Sequence, residues 1–142
     1  MAATDTQPVL ALNDRHGAPL AEFYYLPQGQ VLYVRWHGNL TADEVIRGVT
    51  EGSKRLLAYP FTRILNDKRA TSGDWREALP WLEYEWLPLA VAKGVRAIAY
   101  LLSPALESQV VSQEFMDDIG RQVHTALFLH EEPARRWLLQ QQ

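Results

Sequence analysis

Val31 to Glu44 reads VLYVRWHGNLTADE, and this stretch decides the fold. Its first residues place leucine, valine and tryptophan at alternate positions, the pattern of a strand with one face against a core. A glycine and an asparagine follow, and Thr41 then precedes Glu44 by three residues, the spacing of a helix-capping pair. The stretch therefore predicts a strand that leads directly into a helix.

The residues before this stretch predict a second strand that pairs with it. Leu20 to Leu26 contains three consecutive aromatic residues, which favour a pleated surface. Pro27-Gln28-Gly29 is a typical turn, so the strand from Gln30 to His37 should return alongside to form a hairpin. Further upstream, Val9 to Leu12 predicts a short edge strand.

The residues after it alternate between helices and strands. An alternating order of this kind predicts an α/β fold with a largely parallel sheet. We expect one domain over residues 20–142, with an N-terminal antiparallel hairpin, a mostly parallel mixed sheet and flanking helices, and an N-terminal extension over residues 1–19. The predicted elements are a helix from Thr41 that stops before Pro60, a strand over 61–66, a polar loop Asp67 to Gly73, an aromatic helix from Asp74 to Lys93, an inner strand Val95 to Leu102, a helix from Ser103 to Gly120, a strand Val123 to Leu129 and a helix Glu131 to Leu139.

The predicted core is a single cluster of large apolar side chains. We expect Trp36, Val34, Ile64, Ile98, Tyr100, Trp86 and Trp137 to be largely buried in it. If Trp86 is fully enclosed, its replacement by alanine should cost about 3 to 5 kcal/mol.

Composition excludes several classes of protein. The chain has 142 residues, of which 47% are hydrophobic and 22% are charged, as in one ordinary globular domain. A net charge of −3 argues against broad binding to nucleic acid. The absence of cysteine excludes thiolate metal sites and cysteine nucleophiles, and the four histidines are too scattered for a metal-binding spacing. We therefore expect no metal, no cofactor and no catalytic residues.

The start of the chain shows no targeting signal. Met1 to Pro8 has neither a basic beginning nor a continuous apolar stretch. The longer apolar stretches elsewhere fall short of the ~20 residues needed to span a bilayer. The expected location is the cytoplasm.

Polar residues gather after the strand that ends near Asn66. In an open parallel sheet, ligands collect where strands end, so this region is the candidate binding site. An exposed tryptophan on the following helix could anchor an interface. The candidate residues are Asp67, Arg69, Ser72, Asp74, Arg76 and Trp81. The alternative is purely structural, in which Asp74 and Glu77 cap the helix, Asp67 pairs with Lys68 or Arg69, Ser72 supports the turn and Trp81 packs in the core.

Two motifs resemble the SpoIIAA-like (STAS-related) family. Val31 to Glu44 is similar to the strand, glycine and capped helix that open these proteins, and Glu131 to Leu138 resembles their closing helix. The resemblance covers about residues 20–139. It implies a phosphorylated serine at Ser72, although Ala70-Thr71 and Asp74-Trp75 differ from the residues that flank this serine in the family.

Two functions are consistent with these observations. The first is a non-catalytic cytoplasmic regulatory module that acts through contact with a protein partner, and this hypothesis leaves a homodimer open. The alternative is a carrier or sensor of an apolar small molecule, which related SEC14-like proteins hold between the sheet and a mobile helix. A carrier requires a continuous apolar cavity, whereas a contact module requires a filled core and an aromatic surface patch.

Overall fold

A computed structural model describes residues 7–103 and 113–142 of the chain. Six strands form one sheet in the order β1-β2-β3-β4-β5-β6. The β1–β2 and β2–β3 pairings are antiparallel, and the other three are parallel, which confirms the predicted α/β class and its N-terminal hairpin. The strands are β1 Leu10–Asn13, β2 Pro19–Leu26, β3 Val31–Asn39, β4 Arg63–Ser72, β5 Ala97–Leu101 and β6 His124–Phe128.

A helix follows each of the strands β3, β4, β5 and β6 along the chain. Helix α1 spans Ala42–Arg55, α2 spans Gln113–Ile119 and α3 spans Glu131–Gln140. Between β4 and β5 lies the aromatic helix, defined here as four consecutive helical pieces: Arg76–Ala78, Leu79–Trp81, Leu82–Trp86 and Leu87–Ala92. The first part of the predicted helix from Ser103 falls on residues 104–112, outside the described residues. Within the described residues, no helix is both long and apolar enough to cross a bilayer.

The start of α1 agrees with its predicted capping residue. The Thr41 hydroxyl accepts a hydrogen bond from the Glu44 amide at 3.2 Å. The Glu44 carboxylate forms an ion pair at 2.8 Å with Arg47 on the next turn of the helix. Thr41 therefore ends the strand-to-helix connection as the sequence indicates.

The sheet has a separate core on each face. Helix α3 covers one face, where Leu138 packs with Tyr33 and Leu65, and the other helices cover the opposite face. Trp137 packs against Phe128 in a tilted arrangement with ring centres 5.7 Å apart, so its predicted place in a single core was wrong. The physical reason is that alternate residues of a strand point to opposite faces, and both faces are covered here.

The aromatic helix changes its winding between two prolines. The Leu87 amide donates to the Leu82 carbonyl, five residues back, over the wider piece Leu82–Trp86. Pro88 has no amide hydrogen with which to continue the ordinary four-residue pattern. Such a widened turn is frequent at functional sites.

Strand β4 extends further than the sequence indicated. It ends at Ser72, so the predicted loop over Asp67 to Gly73 was wrong for all but its last residue. The reason is that β3 also continues to Asn39 and pairs with the end of β4, which satisfies the backbone of these polar residues.

Candidate ligand-binding site

Asp67 and Arg69 form a partly buried network on the face covered by α3. Asp67 is 3% exposed and accepts hydrogen bonds from the Tyr33 hydroxyl at 2.7 Å and from Arg69 Nη2 at 2.8 Å. Arg69 also approaches Glu131 of α3 at 3.4 Å. Burial acts to raise the pKa of Asp67, but the bonds from Arg69 and Tyr33 outweigh it and hold the pKa below its usual value. The polar groups of these residues are therefore paired with one another, and the contact between Arg69 and Glu131 connects α3 to the sheet.

Asp74 and Arg76 form a second, exposed pair. Arg76 Nη2 lies 2.6 Å from Asp74 Oδ2, and the Arg76 backbone amide also donates to the Asp74 carboxylate. These hydrogen bonds lower the pKa of Asp74 to about 2. Ser72 is the exposed last residue of β4, and Trp81 is half-buried on the aromatic helix. The six candidate residues therefore fall into separate places: Asp67 with Arg69, Asp74 with Arg76, and Ser72 and Trp81 outside both pairs.

A cavity of about 420 Å³ lies on the other face of the sheet, between the strands, α1 and the aromatic helix. Its walls are mainly aliphatic and aromatic. The two glycines that face the sheet from α1, Gly48 and Gly52, allow the helix to approach closely, since a Cβ at Gly48 would lie 2.8 Å from the Trp36 ring. The aromatic lining residues from the described chain are Phe23, Trp36, Tyr59, Phe61, Trp75, Trp86, Tyr100 and Phe115.

The mouth of the cavity lies between the end of α1 and the end of the aromatic helix. Leu57 and Leu89 both line the cavity, and each is 66% exposed. Lys93 also lines it and is exposed. The chain continues from these residues into the first residues of β4 and β5. The mouth is therefore at the amino end of the parallel strands, opposite the edge that the sequence indicated.

Lys68 lies deep in this cavity, although its side chain carries an ionisable amine. Alternation along β4 places it on the same face as Ile64 and Asn66, and it is 2% exposed. Its Nζ atom lies 4.1 Å from the centre of the Trp75 ring and 4.4 Å from that of Trp36. Among the described residues, no carboxylate pairs with it. Burial lowers the pKa of Lys68 to about 7.

Two neutral polar groups accompany Lys68 in the wall. Asn66 and Tyr100 are opposite each other in the register of β4 and β5, and both line the cavity. The Trp36 indole donates to Asn66 Oδ1 at 2.7 Å, which directs the amide nitrogen elsewhere. Within the described chain neither that nitrogen nor the Tyr100 hydroxyl has a hydrogen-bond partner. Burial raises the pKa of Tyr100, so the hydroxyl keeps its proton.

Lys68 was not among the candidate residues predicted from the sequence, because residues 67–73 were assigned to a loop. One signal was present, since the alternation of Ile64 and Asn66 continues to position 68 and places that residue on the core face. The side chains that face Lys68 come from β3 and from the start of the aromatic helix. Only the folded chain brings them together.

Metal-ligating side chains are dispersed. Across residues 7–103 and 113–142, no group of three histidine, aspartate or glutamate side chains is close enough to hold a metal ion. His37 pairs with Glu22 at 3.0 Å between neighbouring strands. Besides Lys68, Asn66 and Tyr100, the polar residues that line the cavity include Ser53, Tyr59 and Lys93.

Known proteins give no further guidance on this site. Comparisons of the chain with protein-family models, with curated proteins and with solved structures gave no match. The resemblance to SpoIIAA-like proteins therefore stays a prediction from the sequence motifs, and the candidate site stands on its geometry alone.

Proposed function

We propose that the protein binds an apolar small molecule in the cavity, as a carrier or sensor. The observation that carries this proposal is the cavity itself, about 420 Å³ of largely apolar space that is open at one end. Small-molecule sites have volumes of about 300–1,000 Å³ and are lined mainly by apolar and aromatic side chains. The distinguishing feature expected of a carrier is thus present.

The exposed leucines at the mouth support the same proposal. Leu57 and Leu89 are large apolar residues that leave two thirds of their surface in water. Their position gives an entering molecule a continuous apolar path from the surface to the interior. Protein interiors have few voids larger than a water molecule, so an open space of this size favours a ligand over imperfect packing.

The alternative function, contact with a protein partner through the polar residues after β4, has less support. The Asp67 carboxylate is buried and already bound by Tyr33 and Arg69. Asp74 and Arg76 neutralise each other at the surface. A partner would have to compete with these internal pairs, whereas the cavity needs no rearrangement of polar groups.

Binding of an uncharged fluorescent probe tests the proposal. N-phenyl-1-naphthylamine should bind at one site per chain, with increased emission, and 1-dodecanol should displace it. Ala90 lines the cavity, so Ala90→Leu should weaken both ligands because the added atoms occupy the space. Ala92 is exposed on the same helix and does not line the cavity, so Ala92→Leu is the matched control. A wild-type protein that binds neither compound, or an Ala90→Leu variant that binds both as well as wild type, would refute the proposal.

A further inference from the structure

We propose that the ligand is an apolar monocarboxylate whose carboxylate binds to Lys68, Asn66 and Tyr100. This inference rests on the proposed function and specifies the chemistry of its ligand.

The charged side chains that line the cavity are positive. The charged side chains among the described lining residues are Lys68 and Lys93, and none of these lining residues is an aspartate or a glutamate. Lys93 is exposed at the mouth, whereas Lys68 is enclosed at depth. A buried ammonium is costly unless an opposite charge accompanies it. A ligand with one negative charge would supply the missing partner.

Within the described residues, two unpaired hydrogen-bond donors lie on the same face of the sheet as this charge. Asn66 and Tyr100 face each other across β4 and β5, and Lys68 lies two residues further along the same face. The Trp36 indole can only donate, so its bond to Asn66 fixes the carbonyl oxygen of the amide on that side. The amide nitrogen, the phenol and the ammonium are all hydrogen-bond donors. A carboxylate has only acceptors, in two oxygens that can take bonds from all three groups.

The two tryptophans explain how the empty site holds the lysine. The rings of Trp36 and Trp75 lie within 4.4 Å of the ammonium, where cation–π attraction offsets part of the cost of its burial. This attraction leaves the hydrogen-bond capacity of the amine unused. In the empty site the ammonium is therefore already in place, with hydrogen-bond donors free to bind an anion.

The distance from Lys68 to the mouth indicates an elongated ligand. Lys68 is five residues beyond Arg63, the first residue of β4, which corresponds to about 16 Å along a strand. Apolar residues line the space between the mouth and the polar end. A ligand with its carboxylate at Lys68 would lay its apolar body along this path, with its far end near Leu57 and Leu89.

The charge of the site favours a carboxylate over a phosphate. One enclosed amine with two neutral donors matches a single negative charge. A phosphate monoester carries more charge and is usually held by arginine or by several cations. The arginine nearest along β4, Arg69, points to the opposite face and is engaged by Asp67.

The test compares two ligands that differ only in the head group. Dodecanoate and 1-dodecanol would each displace N-phenyl-1-naphthylamine from the full chain at about pH 6, where Lys68 is protonated. We expect dodecanoate to bind the wild-type protein about 10-fold to 100-fold more tightly, as for a charge-assisted hydrogen bond. Lys68→Met should remove this preference and keep the affinity for 1-dodecanol. The retained alcohol binding shows that the variant is folded with its cavity intact.

Lys93→Met is the matched control, because it removes the other lysine of the cavity. This variant should keep the preference for dodecanoate. Equal binding of the two ligands to wild type would overturn the inference and leave the proposed function standing. Loss of the preference in Lys93→Met instead of Lys68→Met would overturn it as well, since the carboxylate would then bind at the mouth. Binding of neither ligand nor probe would instead refute the proposed function.

Discussion

The Nζ atom of Lys68 lies 4.1 Å from the centre of the Trp75 ring, and this contact joins β4 to the residue before the aromatic helix. Two opposing effects act on the lysine. The aromatic ring stabilises the ammonium, whereas exclusion of water destabilises it. Burial is the dominant effect on its pKa, which falls from 10.5 to about 7. The charge of this one group should therefore be measurable in both stability and binding.

Stability should depend on pH through Lys68. Its pKa is about 7 in the folded protein and ordinarily 10.5, so the unfolded chain binds more protons between these values. The free energy of unfolding should therefore rise with pH above about 7, by at most about 1.4 kcal/mol per pH unit from this group. Below about pH 7 this contribution is constant, because the lysine is protonated in both states.

Urea unfolding of wild type, Lys68→Met and Lys93→Met between about pH 6 and pH 9 measures this effect. The stability of Lys68→Met relative to wild type should be greatest at the acidic end and should decrease as pH rises. Lys93→Met should follow the wild-type dependence, because Lys93 is exposed. If the free energy of unfolding had the same pH dependence in wild type and in Lys68→Met, the pKa of the lysine would be the same in the folded and unfolded states. That result would contradict this prediction.

Affinity for a carboxylate should fall as pH rises above about 7, because the free protein loses the proton on Lys68. The other groups in its surroundings keep their charge. Tyr100 stays protonated because burial raises its pKa, Trp36, Trp75 and Asn66 do not titrate, and Lys93 is at the mouth. Displacement titrations with dodecanoate should show this fall in wild type and not in Lys68→Met. A fall of the same size with 1-dodecanol would contradict the assignment to Lys68.

Asp67→Asn should destabilise the protein, because it removes the buried charge opposite Arg69 in a partly buried network. We expect a loss of about 2 kcal/mol, less than the usual 3–5 for a buried pair because Arg69 is about one third exposed. Asp74→Asn makes the same chemical change in the exposed pair with Arg76 and should have no measurable effect. Equal losses in the two variants, measured by urea unfolding, would contradict this account.

Trp75→Ala should cost about 3 to 5 kcal/mol, because Trp75 is 2% exposed and packs in the core. The sequence assigned this cost to Trp86, but Trp86 is half-buried and lines the cavity. Trp86→Ala should therefore cost less, about 1 to 2 kcal/mol. Chemical unfolding of both variants measures which substitution lowers the free energy of unfolding more. A larger loss in Trp86→Ala would show that Trp86, and not Trp75, is the enclosed tryptophan.

The sequence by itself determined the order and type of the elements. Alternation over residues 31–37 and the capping residue Thr41 depend on neighbours within a few positions, and β3 and α1 follow from them. The glycine at position 94 follows the end of the aromatic helix with a positive φ of 110°, for an equally local reason, whereas α1 ends at Arg55, well before the proline at position 60 that was predicted to stop it. These features predicted the α/β class without knowledge of any partner.

The tertiary structure alone decided where β4 ends and where the side chain of Lys68 lies. Residues 67–72 are a polar run, and whether such a run forms a loop or a strand depends on a neighbouring strand to satisfy its backbone. Strand β3 provides that partner up to Asn39. Once β4 continues, alternation places Asp67 under α3 and Lys68 in the cavity, on opposite faces of one strand. The burial of that amine, and the cavity around it, arise from contacts among β3, β4, β5 and the aromatic helix that local sequence does not encode.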